Sequence, residues 1–500
     1  MTRIRRKLLK EMGFKNDLEM TDLTLALKDT KQKVLMLERQ IEDCHKEIES
    51  KDRIIAEKNE YIRKLTEEKT ISASASSAPV KTSNNSSVPP SRNPIGIKHT
   101  KSLREKSGRK TGGQKGHEGH TLKAEDLPPV SETVKWVPPS TCPKCGFPID
   151  TEHLEDGKVR YVVDIPTSVL LNVTKHISMV GKCADGHKIE GLFPEGINAY
   201  ISYGENITAL VAYLNTYCNV PFKKLSSIIE MIFGIRISDG TVSNMLDKMR
   251  KLGKKPYDMI RDAVAKSEVV GADETGININ GKNQWIWTFQ SEVATLLVCE
   301  ESRGRVVIKK YFTDAELKEM ILESDRWRSY FTINIKGHQL CLAHILRNLI
   351  YCSEVYTQQK WSTDMLELLR DAIHQKNVSP GNMLSPEDCA KYRKRLDELL
   401  DTDIGIDLPK KNELTPLKES LGKYREHIFT CLSNSKVHTT NNNSEKSLRP
   451  AKTKQKVSGC FRTKKGGENY VTIASVLQTA IKNGQNPLGA LKAVAHLAYE

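Results

Sequence analysis

The sequence predicts an α+β protein of several domains, and three features of the chain support this. Its 500 residues exceed what a single hydrophobic core usually holds. Short apolar runs rich in strand-forming residues are concentrated between residues 265 and 350. Helical periodicity dominates the stretches 205–250, 353–430 and 438–500. This distribution predicts a mixed fold divided over three or more folded units.

The overall charge favours a polyanionic partner. The chain carries 77 Lys and Arg residues against 62 Asp and Glu residues, which gives a formal net charge of +15. Nucleic acid is the first interpretation of such an excess, and an anionic membrane surface is the alternative. The sequence has no apolar run of about 18 residues, so we expect no membrane-spanning helix.

The cysteines and the first residues predict a cytoplasmic location. The eleven cysteines are odd in number and scattered, which is typical of a reducing compartment where clustered cysteines bind metal. The opening MTRIRRKLLKEMG leads into a charged helix and not into an apolar core. A signal peptide is therefore not expected.

Residues 1–70 are predicted to form a long helix with a coiled-coil seam. Between residues 20 and 65, apolar residues recur with the seven-residue period of a coiled coil. The a positions hold Met20, Leu27, Val34, Ile41, Ile48, Ile55 and Ile62, and the d positions hold Leu23, Leu37, Cys44 and Leu65. The d row is interrupted by Thr30, Lys51 and Lys58. We interpret the helix as a self-association element, and a helix that folds back on its own chain is the alternative.

Residues 71–122 have the composition of a basic, flexible linker. The stretch SASASSAPVKTSNNSSVPPSRNP is rich in Ser, Asn and Pro, which do not build a hydrophobic core. Between Lys81 and Gly116, nine Lys or Arg residues stand against one acid, Glu105. Such a segment can follow the phosphates of a nucleic acid, and a merely solvated linker is the alternative. The candidate contacts are Arg109, Lys110 and Lys115.

Residues 123–200 contain the pattern of a zinc site. Cys142-Pro-Lys-Cys145 places two thiolates where both can reach one ion, and Cys183-Ala-Asp-Gly-His187 follows after 37 residues. Two sulfurs, a third sulfur and an imidazole form a closed tetrahedral set, typical of structural Zn²⁺ and not of catalysis. The fourth ligand has two alternatives to His187, namely His176 and His153.

Residues 201–260 have the spacing of a helix-turn-helix unit. Gly234 breaks a helical pattern, and Ser238 can cap the helix that follows. The apolar positions of the three helices are Leu210, Tyr213 and Leu214, then Leu225, Ile228, Ile229 and Ile232, then Val242, Met245 and Leu246. Helix, Gly-containing turn and capped short helix are the parts of a DNA-reading helix-turn-helix, and an ordinary helical domain is the alternative.

Residues 261–352 begin with a predicted antiparallel meander that carries an acid on its first strand. Residues 269–273 form a short apolar run that ends in Asp273. Asn280-Gly281 is a strong signal for a tight hairpin, and residues 285–289 and 294–298 are predicted as the next strands. Because neighbouring strand residues point to opposite faces, only one of Asp273 and Glu274 can face a shared pocket.

Two further acids follow in the chain. Asp325 comes after a brief apolar stretch, and HQLCLAHILRNLI then predicts a strand entering a helix, with Cys341 and His344 at the junction. The Asn run of NNNSEKSLRP can cap a helix with Glu445 in its first turn. The residues on the same helical face as Glu445 are Arg449 and Lys452. A single acid usually caps a helix or faces water, but three converging carboxylates need cations, such as two divalent ions about 4 Å apart.

Several ordered blocks of the chain resemble those of insertion-sequence 66 family transposases, over roughly residues 20–490. They include VGADETGININGKNQWIWTF, ESDRWRSYF, HQLCLAHILRNL and NNNSEKSLRPAKTKQKVSGCFR, as well as SVPPSRNP with GGQKGHEGH, CPKCG and GIRISDGTVSNML. The resemblance implies a DNA transposase with an acidic triad of the Asp-Asp-Glu type, carried here by Asp273, Asp325 and Glu445. The triad would hold two catalytic Mg²⁺ ions, and the candidate phosphate contacts are His344, Arg449 and Lys452.

The resemblance also implies an architecture and partners. The fold would be a ribonuclease-H-like mixed sheet formed by residues 261–352 and 438–500, with a helical insertion at 353–437 between them. A structural Zn²⁺ and a helix-turn-helix would accompany this core. The DNA partners would be terminal inverted repeats and target DNA, and small accessory transposition proteins often accompany such enzymes. The protein would act in a prokaryotic cytoplasm at the nucleoid, as a homodimer or higher oligomer paired by the coiled coil.

The chain departs from the family pattern at two positions. The sequence also leaves three alternative functions open. Relatives tend to have Gly where this chain has Arg326, and Arg where it has Lys446, but neither change removes a carboxylate. The alternatives are a non-catalytic regulator that binds DNA through zinc and helix-turn-helix units, and a DNA nuclease or resolvase of the same fold. A coiled-coil scaffold is a third alternative.

Overall fold

The structure is a computed structural model that describes residues 201–406 and 412–496 continuously. It also describes shorter stretches of the chain, among them 28–43, 45–51, 141–148 and 171–182. The chain divides into two compact units, Met1–Val80 and Lys81–Glu500. None of the helices in these described parts is long and apolar enough to cross a bilayer.

The first unit contains a helix, described at residues 28–43 and 45–51. Ion pairs one turn apart support it, with Lys33 at 2.8 Å from Asp29 and Lys51 at 2.7 Å from Glu47. The apolar heptad residues in the described part are about half exposed, namely Val34, Leu37, Ile41 and Ile48. The other apolar heptad residues lie outside the described residues, so self-association stays a prediction.

Small β elements occur between residues 141 and 190. Thr141 and Pro148 form an isolated antiparallel bridge around a tight turn. Strands β1 (Val180–Lys182) and β2 (Lys188–Glu190) pair antiparallel. Cys183 and His187 come between these two strands in sequence and lie outside the described residues.

Four helices precede the main sheet: α1 (Glu205–Thr216), α2 (Phe222–Phe233), α3 (Asp239–Leu252) and α4 (Lys254–Ala265). Gly234 ends α2 with φ at +70°, in the left-handed region that suits glycine. The Oγ of Ser238 accepts the N–H of Thr241 at 3.0 Å and thereby caps α3. The predicted helices, glycine break and serine cap are all present.

The main sheet has five strands: β3 (Val269–Ile279), β4 (Lys282–Gln290), β5 (Thr295–Glu300), β6 (Ile321–Ser324) and β7 (Gly337–Leu340). Their order in the sheet is β5-β4-β3-β6-β7. β3, β4 and β5 are antiparallel neighbours, whereas β6 is parallel to β3 and β7 is parallel to β6. Asn280 and Gly281 have φ values of +48° and +80° and form the predicted hairpin turn. The expected α+β fold with a mixed sheet is therefore confirmed.

Helices connect the later strands. α5 (Arg305–Tyr311) and α6 (Asp314–Lys318) lie between β5 and β6, and α7 (Leu342–Val355) follows β7. Val307, Ile308 and Leu317 of these helices share the core beneath one face of the sheet with Val270 and Leu322.

A second core lies among the helices that follow β7. It is enclosed by α7 together with α8 (Trp361–Val378), α9 (Pro386–Asp401) and α10 (Leu414–Lys423). Short 3₁₀ helices also occur in and around this region, at Arg328–Thr332, Pro380–Asn382, Arg425–His427 and Thr430–Ser433. The stretch predicted as a helical insertion is thus helical, and its boundaries as a domain stay a prediction.

Part of the segment predicted as a flexible linker packs against these helices. Lys81 places its Nζ 2.6 Å from the carboxylate of Glu413, and the amide of Asn85 donates to Glu354 at 2.8 Å. Thr82, Ser83 and Asn85 are buried. The composition of the segment did not predict these contacts, because they are polar and join residues more than 260 positions apart in the sequence.

The last three helices are α11 (Asn442–Ser458), α12 (Lys464–Lys482) and α13 (Pro487–His496). α11 and α12 pack over β3, β4 and β5. Their shared core is apolar and includes Ile277, Ile286, Leu297, Leu448, Ala451 and Phe461. Side chains alternate between the two faces of a strand, so Asp273 and Ile277, four residues apart on β3, lie on the same face. Ile277 packs in the core under α11, and Asp273 therefore lies on the face that α11 covers.

Candidate active site

Two of the three predicted acids lie on neighbouring parallel strands. Asp273 is in the middle of β3, and Asp325 follows directly after β6. Gly271 of β3 pairs with Glu323 of β6, so the residues two positions further along each strand, Asp273 and Asp325, continue side by side. The third acid, Glu445, lies in the first turn of α11, the helix over β3.

Asp273 is buried near the other two acids and is affected by their charges. Burial raises the pKa of Asp273 well above its usual value, and the charges of Glu274, Asp325 and Glu445 raise it further. Burial also raises the pKa of Asp325, although the backbone N–H of Trp327 opposes this shift. A buried acid beside other acids is costly to ionise unless a cation neutralises it.

The two aspartates are held by backbone N–H groups. Oδ1 of Asp273 accepts the N–H of Glu274 at 2.9 Å, and Oδ1 of Asp325 accepts the N–H of Trp327 at 2.8 Å. In each aspartate the hydrogen bond involves Oδ1 and thereby fixes the orientation of Oδ2 of the same carboxylate. Both side chains therefore offer a second oxygen to a ligand.

Gly271 lets α11 approach the sheet just before Asp273. A Cβ at this position would collide with Oγ of Ser444 and would lie 3.1 Å from both Oδ1 of Asn441 and Nε2 of Gln290. The amide of Asn441 donates to the carbonyl of Ala272 at 2.7 Å. The start of α11, and with it Glu445, is thus set directly on β3.

The asparagine run does not cap α11 in the expected way. Asn441 occupies the N-cap position, but its side chain makes no capping hydrogen bond. Its amide nitrogen bonds to the strand and its buried Oδ1 has no partner among the described residues. The residue therefore anchors the helix to the sheet, which the sequence pattern could not indicate.

Glu274 belongs to a separate cluster. Its carboxylate accepts a hydrogen bond from Tyr330 and lies 2.7 Å from Nε of Arg303. The guanidinium of Arg303 lies over the rings of Trp285 and Trp327, at 4.7 and 3.8 Å from their centroids. Burial raises the pKa of Glu274, and Tyr330 and Arg303 oppose this shift.

This cluster is linked to Asp325 through Trp327. It was not predicted from the sequence. Trp327, whose N–H binds Asp325, also donates its indole N–H to the carbonyl of Arg303 at 3.1 Å. The block ESDRWRSYF contains Trp327 and Tyr330, but nothing in its pattern identifies Arg303 as their partner.

Cys341 and His344 lie next to Glu445. His344 places Nε2 3.9 Å from Oε1 of Glu445, and the ligand atoms of all three residues lie within 4.8 Å of one another. Within the described part of the chain, no other group of three such side chains is as close, so the three predicted acids stand further apart than this. Burial, together with Arg347 and Arg326, lowers the pKa of His344 to about 3. The neutral imidazole could contact a phosphate only through a hydrogen bond.

The basic residues of α11 have different surroundings. Arg449 is exposed and lines a cavity of about 490 Å³ together with Lys446 and Tyr217. Lys452 donates to the carbonyl of Gly276 and so ties α11 to β3. Arg109, Lys110 and Lys115, the basic candidates of the linker, lie outside the described residues.

The first half of the predicted zinc site, Cys142 to Cys145, lies in a tight turn. The N–H of Cys142 donates to the carbonyl of Phe147, and the N–H of Gly146 donates to the carbonyl of Cys142, both at 2.8 Å. Gly146 has φ at +74°, which glycine adopts without strain. Hydrogen bonds from the backbone of Lys144 and Cys145 lower the pKa of the Cys142 thiol.

The remaining zinc candidates are less defined. His176 is exposed in a described stretch. The other three candidates, Cys183, His187 and His153, lie outside the described residues. The complete ligand set therefore stays a prediction.

Helix α3 has an exposed side that carries small polar residues. Ser243 and Asn244 are exposed, whereas Val242, Met245 and Leu246 are buried. Asp247 is buried and binds Arg250 at 3.2 Å and Lys465 of α12 at 3.0 Å. The helix is thus fixed by its inner face and leaves small polar groups outside.

Comparison with known proteins gives two findings. The family model described as Transposase IS66 family matches residues 201–469, a little over half of the chain. A protein of Sinorhizobium fredii, named Uncharacterized protein y4qI, is similar, with 24% identity over 345 residues. The aligned region covers 62% of this chain and 60% of that protein. The family match includes all three predicted acids.

Proposed function

Because the chain belongs to the IS66 family of transposases, we propose that it is a DDE-type transposase that binds the inverted-repeat ends of an insertion element and cuts and rejoins DNA there. One observation carries the proposal. Asp273, Asp325 and Glu445 come from distant parts of the chain, yet Asp273 lies on β3, Asp325 directly follows the adjacent strand β6, and Glu445 lies on the helix that packs over β3. Family membership supports the reaction class, and the acids give it a site.

The sheet supports a ribonuclease-H-like core. Three antiparallel strands are followed by two strands parallel to the first, and helices cover both faces. In this arrangement the first and fourth strands are neighbours, which supports a shared site for Asp273 on β3 and Asp325 just after β6. The helices between β7 and α11 then correspond to the insertion that separates the second acid from the third.

The three acids fit Mg²⁺ as ligands. Carboxylate oxygens are preferred by this ion, and the buried Asp273 lies beside two further acids whose repulsion a cation would relieve. When bound, Mg²⁺ supplies an activated oxygen nucleophile and stabilises the charge on the leaving 3′-oxygen. Asp273 and Asp325 each present one oxygen, because the other is held by the backbone.

Exposed basic and polar groups would hold the DNA. Arg449 and Lys446 lie on the solvent side of α11, the helix that carries Glu445, where they can reach phosphates flanking the reacting strand. Ser243 and Asn244 on α3 would face bases, and the basic linker would follow the backbone. A zinc ion held by Cys142, Cys145, Cys183 and His187 would stabilise the small β unit.

The experiment is a cleavage and joining assay on DNA that carries the element's ends. Asp273→Asn, Asp325→Asn and Glu445→Gln remove one charge each while keeping the shape of the side chain. Each variant is expected to bind the DNA with the affinity of the natural protein and to lose Mg²⁺-dependent cleavage, because each removes a metal ligand. Glu319→Gln is the matched control, since Glu319 is exposed and lies near Asp325 in sequence.

The outcomes separate the alternatives. Joined products with the natural protein and none with the three variants support a transposase. Cleavage without joining indicates a nuclease, and end binding without cleavage in any form indicates a regulator. Undiminished cleavage by all three variants would remove the acids from the mechanism.

A further inference from the structure

We propose that Cys341, His344 and Glu445 form a binding site for a thiophilic divalent cation of the zinc class, which shares Glu445 with the proposed Mg²⁺ site. The ligand atoms of the three side chains lie within 4.8 Å of one another. The set contains a sulfur, a nitrogen and an oxygen, and a thiolate selects zinc-class ions over Mg²⁺. The site is distinct from the predicted four-ligand zinc site, with which it shares no residue.

The local fold explains why two of the ligands converge. Cys341 is the N-cap of α7, and His344 is three residues further on, so their side chains rise on the same side of the helix. The N–H of His344 donates to the carbonyl of Cys341 at 3.2 Å, which closes this first turn. Glu445 then approaches from α11, whose first turn is fixed on β3.

The surroundings of the sulfur suit a metal thiolate. Sγ of Cys341 accepts the backbone N–H of Asn441 at 3.2 Å. Such a donor, together with the start of a helix, stabilises negative charge on sulfur. A cation that binds the thiol displaces its proton, which is released to solvent.

The imidazole of His344 has one enclosed nitrogen and one nitrogen near Glu445. Its Nδ1 is closed off from solvent and has no hydrogen-bond partner in the described residues, and its Nε2 lies 3.9 Å from Oε1 of Glu445. An imidazole nitrogen without a hydrogen-bond partner is available as a metal ligand. A buried nitrogen without a partner costs free energy, and a cation bound to that nitrogen would offset the cost.

Distances and charge define how strongly the site binds. Tetrahedral zinc with S and N ligands needs those atoms about 3.5 Å apart, and the ligand atoms lie within 4.8 Å of one another, so the side chains need to close by no more than about 1 Å. Arg326 and Arg347 lie near His344 and disfavour a cation there, whereas Glu445, 3.9 Å from the ring, favours it. With three protein ligands, the site is expected to hold zinc more weakly than a four-ligand site.

The test counts zinc ions bound to the full chain after chelator treatment, by equilibrium dialysis with elemental analysis. The natural protein is expected to bind one zinc ion more than Cys341→Ser or His344→Asn. Cys352→Ser is the matched control, because Cys352 is also a buried cysteine of α7 and belongs to no ligand group. It is expected to bind as many zinc ions as the natural protein.

Two different ligand variants, Cys341→Ser and His344→Asn, are used so that the test does not depend on the folding of one of them. Circular dichroism verifies that both are folded. If Cys341→Ser and His344→Asn bind zinc with unchanged number and affinity, the site does not exist. Excess Mg²⁺ is expected to lower the affinity of the natural protein for this additional zinc ion, because both proposed metal sites use Glu445. The zinc count uses no DNA, so the site could fail while the proposed transposase activity stands, or the reverse.

Discussion

Gly271 is the residue on which the position of the third acid depends most directly. It has no side chain, and that space is filled by Ser444 and Asn441 at the start of α11. The contact lies two residues before Asp273 in β3 and one residue before Glu445 in α11. Adding a single methyl group at Gly271 is therefore expected to change the distance between Asp273 and Glu445.

We predict that Gly271→Ala lowers both stability and DNA cleavage. The new Cβ would collide with Ser444 and push α11 from the sheet, at a cost of about 1–3 kcal/mol in the free energy of unfolding. Urea unfolding and the cleavage assay measure the two effects. The matched control is Gly276→Ala on the same strand, where a Cβ would meet only the ring of Trp285 at 3.7 Å.

A second substitution makes the prediction sharper. Ser444→Gly removes the nearest clashing atom, so the double variant Gly271→Ala with Ser444→Gly is expected to recover part of the cleavage lost in the single variant. Equal loss in Gly271→Ala and Gly276→Ala would show that contact with α11 is not the cause.

At the level of elements, the segment that leads into α11 is fastened by an ion pair. His438 donates its backbone N–H to the carboxylate of Glu323 and places its Nδ1 3.1 Å from the same group. Glu323 is buried on β6, two residues before Asp325. The hydrogen bond with this carboxylate raises the pKa of His438 above its usual value of 6.5.

We predict that this pair makes stability depend on pH. Because the folded-state pKa of His438 is raised, its contribution is fully present below pH 6.5 and is lost as the pH rises through the folded-state pKa. His438→Gln, which keeps the backbone contact, should therefore be less stable than the natural protein at pH 5.5 and nearly equal to it at pH 9. Urea unfolding at both pH values measures the difference, and a gap that stays constant would exclude the ion pair as its source.

The elements were predictable where the signals were local. Asn280-Gly281 identified the hairpin, Ser238 the helix cap, and the apolar runs the strands that carry Asp273 and Asp325. Long-range contacts were not predictable. The stack of Arg303 on Trp285 and Trp327, and the approach of Cys341 to Glu445, join residues whose separation in sequence carries no periodic signal.

At the level of the whole molecule, we propose that the heptad helix pairs two or more chains. Joining two DNA ends is a reaction that suits two protomers, and the described helix leaves Val34, Ile41 and Ile48 about half exposed. Apolar side chains at seven-residue spacing on a solvated helix are the surface that a coiled-coil partner covers.

We predict that Ile41→Lys dissociates the oligomer and that Met36→Lys does not. Ile41 is an a position of the seam, whereas Met36 lies on the outer side of the same helix, and their exposures are similar at 56% and 61%. A buried charge in the seam opposes association, but a charge on the outer side faces water. Light scattering of the full chain measures the mass. A natural protein that is monomeric with and without DNA would contradict the self-association.

The central claim is that Asp273, Asp325 and Glu445 bind divalent cations together. Mn²⁺ replaces Mg²⁺ at carboxylate sites and is visible by electron paramagnetic resonance, so its binding can be followed directly on the full chain. We predict that the natural protein and Glu319→Gln bind Mn²⁺ equally, and that Asp273→Asn, Asp325→Asn and Glu445→Gln each bind it at least tenfold more weakly. Unchanged Mn²⁺ affinity in all three variants would contradict the claim.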